Sequence, residues 1–97
     1  MNKEKVNSYL NFAVKGNFIL WGLDFIIKSK NKPIIVIYDK SIGNSSKKQL
    51  FRYCEQNNIQ KFEVEENYLN NTLKREKVKI VGIIDQSLAN AIISNWR

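Results

Sequence analysis

The stretch Lys15-Gly-Asn-Phe-Ile-Leu-Trp-Gly22-Leu-Asp-Phe-Ile-Ile-Lys28-Ser-Lys-Asn-Lys32-Pro-Ile-Ile-Val-Ile-Tyr38-Asp39 decides how the chain is read. Phe18-Ile19-Leu20 forms a short apolar run, Gly22 a turn, Leu23 to about Asn31 a helix, and Pro33 to Tyr38 a second apolar run. A helix between two apolar strands is a βαβ-type unit, and strands this uniformly apolar suit a sheet covered on both faces. Asp24 falls in the first turn of the helix, where a carboxylate meets the positive end of the dipole; Lys28, Lys30 and Lys32 crowd its other end.

The flanking sequence repeats and caps this unit. Val6, Tyr9, Leu10, Ala13 and Val14 recur at helical spacing and predict an amphipathic first helix ended by Gly16. Asp39 to Ser46 reads as a loop with Ser45 or Ser46 as N-cap, and Lys47 to Gln56 as a helix that Asn57-Asn58 ends. Ile59 to Glu63 reads as a short edge strand and Glu65 to Leu73 as a brief helix. Val78 to Ile84 is nearly continuous in apolar residues and reads as a central strand, followed by a closing helix with Asp85 as N-cap. Strands and helices alternate throughout. The expected fold is α/β, a three-layer α/β/α sandwich with a mixed sheet of about four strands, residues 1–97 making one domain.

Sixteen basic against nine acidic residues give a net charge of +7, a balance that favours a polyanionic partner. AT-rich codon usage also enriches Lys, Asn and Ile, and a lysine-rich solvated face is the plain alternative. The single cysteine, Cys54, suits a reducing compartment and a buried position. No apolar run approaches a bilayer span, and the N-terminal residues lead into a patterned helix; a cytoplasmic protein without membrane association is expected.

Catalytic chemistry finds little support. Histidine is absent, Cys54 has no imidazole to activate it, and no phosphate-binding glycine loop occurs. Asp24, Asp39 and Asp85 near strand ends could in principle hold a metal, but acids at such places usually cap helices. The expectation is no enzyme, no metal and no cofactor. A basic, turn-centred constellation is more productive: Lys28 and Lys32 spaced as on one helix face, Lys15 and Asn17 before the first strand, and Lys74, Arg75, Lys77 and Lys79 before the last. Placed on one rim with the amides of Asn17, Asn70 and Asn71, they would hold phosphates. Phe25 is open to two readings, stacking on an unpaired base or packing in the core with Trp21, of which the second is preferred; Trp96 is expected to close the core against the first helix.

Several segments, in order, resemble the kink-turn-binding ribosomal protein superfamily of the L-seven-Ae / L-thirty-e type, and within it the short bacterial YlxQ-like proteins. They are Ala13-Val14-Lys15-Gly16, Gly22-Leu23-Asp24-Phe25-Ile26-Ile27-Lys28, Ile35-Val36-Ile37-Tyr38-Asp39-Lys40-Ser41, Leu69-Asn70-Asn71-Thr72-Leu73-Lys74 and Val81-Gly82-Ile83-Ile84-Asp85. The resemblance implies a non-enzymatic, RNA-binding protein that contacts structured RNA through the start of the second helix and the loop before the last strand. Gly22 would then let the backbone approach RNA, Lys28 would contact phosphate, and Asp24 and Phe25 would occupy base-reading positions. Kink-turn binders tend to carry Asn and Glu there, and an ionised Asp accepts but does not donate. Asn70 and Lys74 stand where the family has glycines. The expected interface is therefore Lys15, Asn17, Gly22, Asp24, Phe25, Lys28, Lys32, Asn70, Lys74, Arg75 and Lys77, with structured or ribosomal RNA, and through it the ribosome, as partner. The alternative is a protein-interaction module that kept the fold and lost RNA recognition.

Overall fold

The computed structural model describes residues 1–96 and has an α/β fold. Its elements are α1 (Lys3–Lys15), β1 (Ile19–Trp21), α2 (Leu23–Lys28), β2 (Ile35–Asp39), α3 (Asn44–Gln56), β3 (Gln60–Val64), α4 (Tyr68–Leu73), β4 (Ile80–Ile83) and α5 (Gln86–Ser94). The four strands form one mixed sheet in the order β1-β4-β2-β3. β4 is antiparallel to both neighbours and β2 is parallel to β3, so β1, β2 and β3 all point the same way. The expected central position of the last strand and edge position of β3 are both found. The two strands of the opening unit are parallel but do not touch, because β4 inserts between them.

Alternation along the strands divides the core in two. Ile19, Ile35, Ile37, Val81 and Ile83 face α1, α4 and α5, while Leu20, Val36, Tyr38 and Ile80 face α2 and α3. Helices thus cover both faces, which is why β2 is buried along its whole length. Gly82 faces α2, and a Cβ there would stand 2.8 Å from Pro33 Cβ. Glycine is what lets the segment after α2 lie against the central strand.

Several local expectations are corrected. The first helix does not end on a left-handed glycine: Gly16 has helical dihedrals and Asn17 takes the left-handed conformation at φ 60°. Asn tolerates that region through local hydrogen bonding. α2 stops at Lys28 rather than Asn31, because Ser29 turns extended and its hydroxyl exchanges hydrogen bonds with the backbone of Asn31. Lys32 therefore lies outside the helix, and Lys28 and Lys32 do not share a helical face. α3 begins at Asn44 after Gly43, with neither Ser45 nor Ser46 as cap. Asp85 does cap α5, accepting the Leu88 N–H at 2.9 Å. Trp96 packs in the core as expected, but its aromatic partner is Phe62 on β3, 4.7 Å between ring centroids.

Candidate nucleic-acid interface

The carboxyl ends of β1, β2 and β3 and the start of β4 meet at one end of the sheet. Here β1 leaves through Gly22, whose φ of 89° is open to glycine and strained for other residues, and whose N–H donates to Ile80 O at 2.9 Å. That bond ties the start of α2 to the loop before β4. The Arg75 guanidinium completes the junction, lying 4.1 Å from the centroid of the Trp21 ring. Between them is a hollow of about 150 Å³ lined by Trp21, Gly22, Lys77, Val78, Lys79 and Ile80.

The loop carrying these cations has a defined shape. Asn70 Oδ1 accepts the Val78 N–H at 2.7 Å, its Nδ2 donates to Asn67 Oδ1 at 3.2 Å, and its carbonyl accepts the Arg75 N–H at 3.2 Å. Lys74 and Lys77 both adopt left-handed backbone, φ 53° and 61°. Left-handed backbone costs a non-glycine residue about 1–2 kcal/mol, and the three Asn70 bonds that tie the loop together help to offset it. Lys74, Arg75 and Lys77 are exposed, and among the described residues none of them pairs with a carboxylate.

Beneath the rim lies Asp39, a wholly buried charge. Its Oδ1 accepts the Ser41 N–H at 2.7 Å and the Ser41 hydroxyl at 2.6 Å; its Oδ2 accepts the Asn67 N–H at 2.9 Å and stands 3.5 Å from Lys79 Nζ. Burial by itself pushes the Asp39 carboxyl up. The hydrogen bonds from Ser41 and Asn67, together with the Lys79 charge, outweigh it and hold the group below the ordinary Asp value. Asp39 is thus a latch between three loops, with no lone pair left over for a ligand. Asp85 follows the other end of β4, so Asp39 and Asp85 lie at opposite ends of the sheet. No cluster of three potential ligands from His, Cys, Asp and Glu is found among the described residues.

The expected site residues divide. Gly22, Asp24, Asn70, Lys74, Arg75 and Lys77 are brought to this rim, Asn70 as the residue that shapes the loop. Lys28 closes α2 and, with Asp24, Phe25 and Ser29, lines a neighbouring surface hollow of about 330 Å³. Lys15 and Asn17 precede β1, and Lys32 precedes β2, so all three belong to the opposite end of the sheet and are not part of the rim. Phe25 is not a core residue: its side chain is 63% exposed, while Ile26 next to it is buried in its place. Trp21 had no place in the expected interface; Lys79, counted in the basic cluster before the last strand, turns its ammonium to Asp39 and Ser41. A tryptophan directly before a turn glycine, facing a basic loop, is the sequence feature that marks Trp21.

No family model matches the chain, and no curated protein matches it. Among solved structures the chain is similar to a protein with unknown function from Bacillus halodurans. The TM-score is 0.84 at 20% sequence identity, covering 93% of this chain and 94% of that one. A likeness at that identity speaks for the α/β fold. No helix among the described residues is long and apolar enough to cross a membrane.

Proposed function

We propose that the chain is a non-enzymatic RNA-binding protein of the ribosomal-protein type, acting in the cytoplasm on structured RNA, ribosomal or kink-turn-like. The observation that carries this reading is the junction at Trp21, Gly22 and Arg75, which sets three unpaired cations on a rigid loop beside a backbone free of side chain. Lys74, Arg75 and Lys77 contact phosphates there, Lys28 adds an outer contact, and the open surface over Gly22 admits a nucleotide closely. Asp24 on the same rim accepts from base amino groups.

Fluorescence anisotropy with a kink-turn RNA and a straight duplex across a salt series tests it. Arg75→Ala and Lys28→Ala each weaken binding and flatten the slope of log K against log salt by about one unit, whereas Lys32→Ala, at the other end of the sheet, leaves the slope unchanged. Equal slopes in all three variants would refute the assignment. Exposure of Phe25 favours a second reading, a protein-interaction module, which absence of RNA binding at every salt concentration would select.

A further inference from the structure

Away from the rim, the first helix gathers a second set of groups able to hold a nucleotide. Asn7, Asn11 and Lys15 stand four apart on α1, and Ser8 and Phe12 form the next row beside them, so the five share one face of the helix. Together they line a surface hollow of about 310 Å³. Small-ligand sites begin at about that size, roughly 300 Å³. The inward face of α1 is taken by Val6, Leu10 and Ala13, which leaves the Phe12 ring 59% exposed beside the hollow. The two amides are held in place by α4. Asn7 Oδ1 accepts from the hydroxyls of Tyr68 and Thr72, and Asn11 Nδ2 donates to Thr72 O and to Asn7 O. These bonds occupy one end of each amide. Asn7 Nδ2 and Asn11 Oδ1 keep no partner among the described residues, so a donor and an acceptor remain one helical turn apart.

Charge at the hollow is modest. Lys15 is the one charged residue among those lining it. Lys3 and Glu4 lie a turn nearer the start of α1 and offset each other, and Asp85 follows β4 at the sheet end where α1 closes. Glu76 sits in the rim loop instead. An exposed ring, two oriented amides, a hydroxyl and one ammonium, in surroundings close to neutral, suit a base more than a run of phosphates. The hollow also connects to the rim. α4 starts at Asn67, which bonds to Asp39, and ends at Leu73, directly before the loop that carries Lys74, Arg75 and Lys77. Thr72, the α4 partner of both amides, is two residues from Lys74.

We propose that this hollow is a second RNA subsite, which takes one unpaired nucleotide of the strand leaving the rim across α4; the inference rests on the RNA-binding reading above. The base stacks on Phe12, its hydrogen-bonding edge meets Asn7 Nδ2 and Asn11 Oδ1, and Lys15 pairs with the adjoining phosphate. Every base carries both donors and acceptors, so the subsite recognises that a base is unpaired rather than which base it is. A peptide backbone also matches two amides. What favours RNA is the path through α4 to the unpaired cations of the rim.

The test compares a kink-turn RNA with the same RNA carrying a single-stranded tail of about six nucleotides, at each end in turn, by fluorescence anisotropy across a salt series. The expected result is that one tail tightens binding about tenfold, and that this gain hardly changes with salt because stacking supplies most of it. Phe12→Ala removes the gain and Lys15→Gln reduces it, while both bind the untailed RNA as the native chain does. If Phe12→Ala fails to fold, amide shifts of the 15N-labelled native chain make the same comparison: Ser8, Asn11 and Phe12 shift with the tailed RNA and not with the untailed one. Where the untailed RNA binds, no gain from either tail, or a gain that survives Phe12→Ala, overturns the subsite and leaves the rim assignment standing. Absence of binding by every RNA overturns the RNA-binding reading and the subsite with it.

Discussion

Replacing Asp39 by Asn removes one charge and little volume, yet it strikes the latch beneath the rim. The carboxylate accepts two hydrogen bonds on Oδ1 and one on Oδ2, with Lys79 near the second oxygen. An asparagine offers one acceptor oxygen and one NH₂ group. Whichever way it turns, a backbone N–H, that of Ser41 or that of Asn67, meets a donor instead of an acceptor. An orphaned donor costs about 1–3 kcal/mol, and the surviving bonds lose the strengthening that the charge gave them, so the expected loss is about 3 kcal/mol. With a urea m-value of about 1–2 kcal/mol/M, the unfolding midpoint falls by about 2 M at neutral pH. Acid adds a second signature. The folded-state pKa of Asp39 is depressed, so the unfolded chain binds the proton more readily. The stabilisation is present above the unfolded-state value and is lost as pH falls through the lower folded-state value. The gap between wild type and Asp39→Asn therefore narrows on going from neutral pH to below the Asp range. A midpoint shift under about 0.5 M, or a gap that stays constant with pH, would refute the latch.

Two other outcomes follow from packing. Gly82→Ala drives a methyl into Pro33, with Pro33 Cβ at 2.8 Å and Cγ at 3.2 Å from the new carbon, and destabilises the fold by about 1–3 kcal/mol as read by urea melts. Cys54 is 1% exposed and burial holds its thiol above the usual value, so an aromatic disulfide reagent labels it at neutral pH only as fast as the chain opens. Rapid stoichiometric labelling of the folded chain would contradict this.

Chain order carried much of the fold. The apolar runs at 33–38 and 78–84 are strands buried on both faces, and the polar alternation at 59–63 is an edge, because side-chain burial follows the period of the strand. The site was legible in pieces. A single short strand separates Asn17 from Gly22, so the two belong to opposite ends of the sheet. The loop at 74–79 joins Gly22 only because β4 runs antiparallel to β1; a parallel β4 would have set it beside Asn17 instead. No local pattern states that direction, which comes from how the whole sheet assembles. Phe25 shows the opposite limit. Three consecutive apolar residues, Phe25, Ile26 and Ile27, compete for the inward face of a short helix, and Ile26 takes it.

The insertion of β4 between β1 and β2 also bears on the order of folding. β2, α3 and β3 are contiguous in sequence, and their parallel ladder closes over one helical crossover. β1 has no partner in that half of the chain: Ile19 pairs with Ile83, close to the other end. Contacts so distant in sequence form late because the loop they close is long. On a ribosome the central unit can therefore assemble first, while the first helix and β1 wait for the last strand to emerge. The rim loop and the Trp21–Arg75 contact come into being together with that final strand, so the proposed binding surface matures only when the sheet is complete.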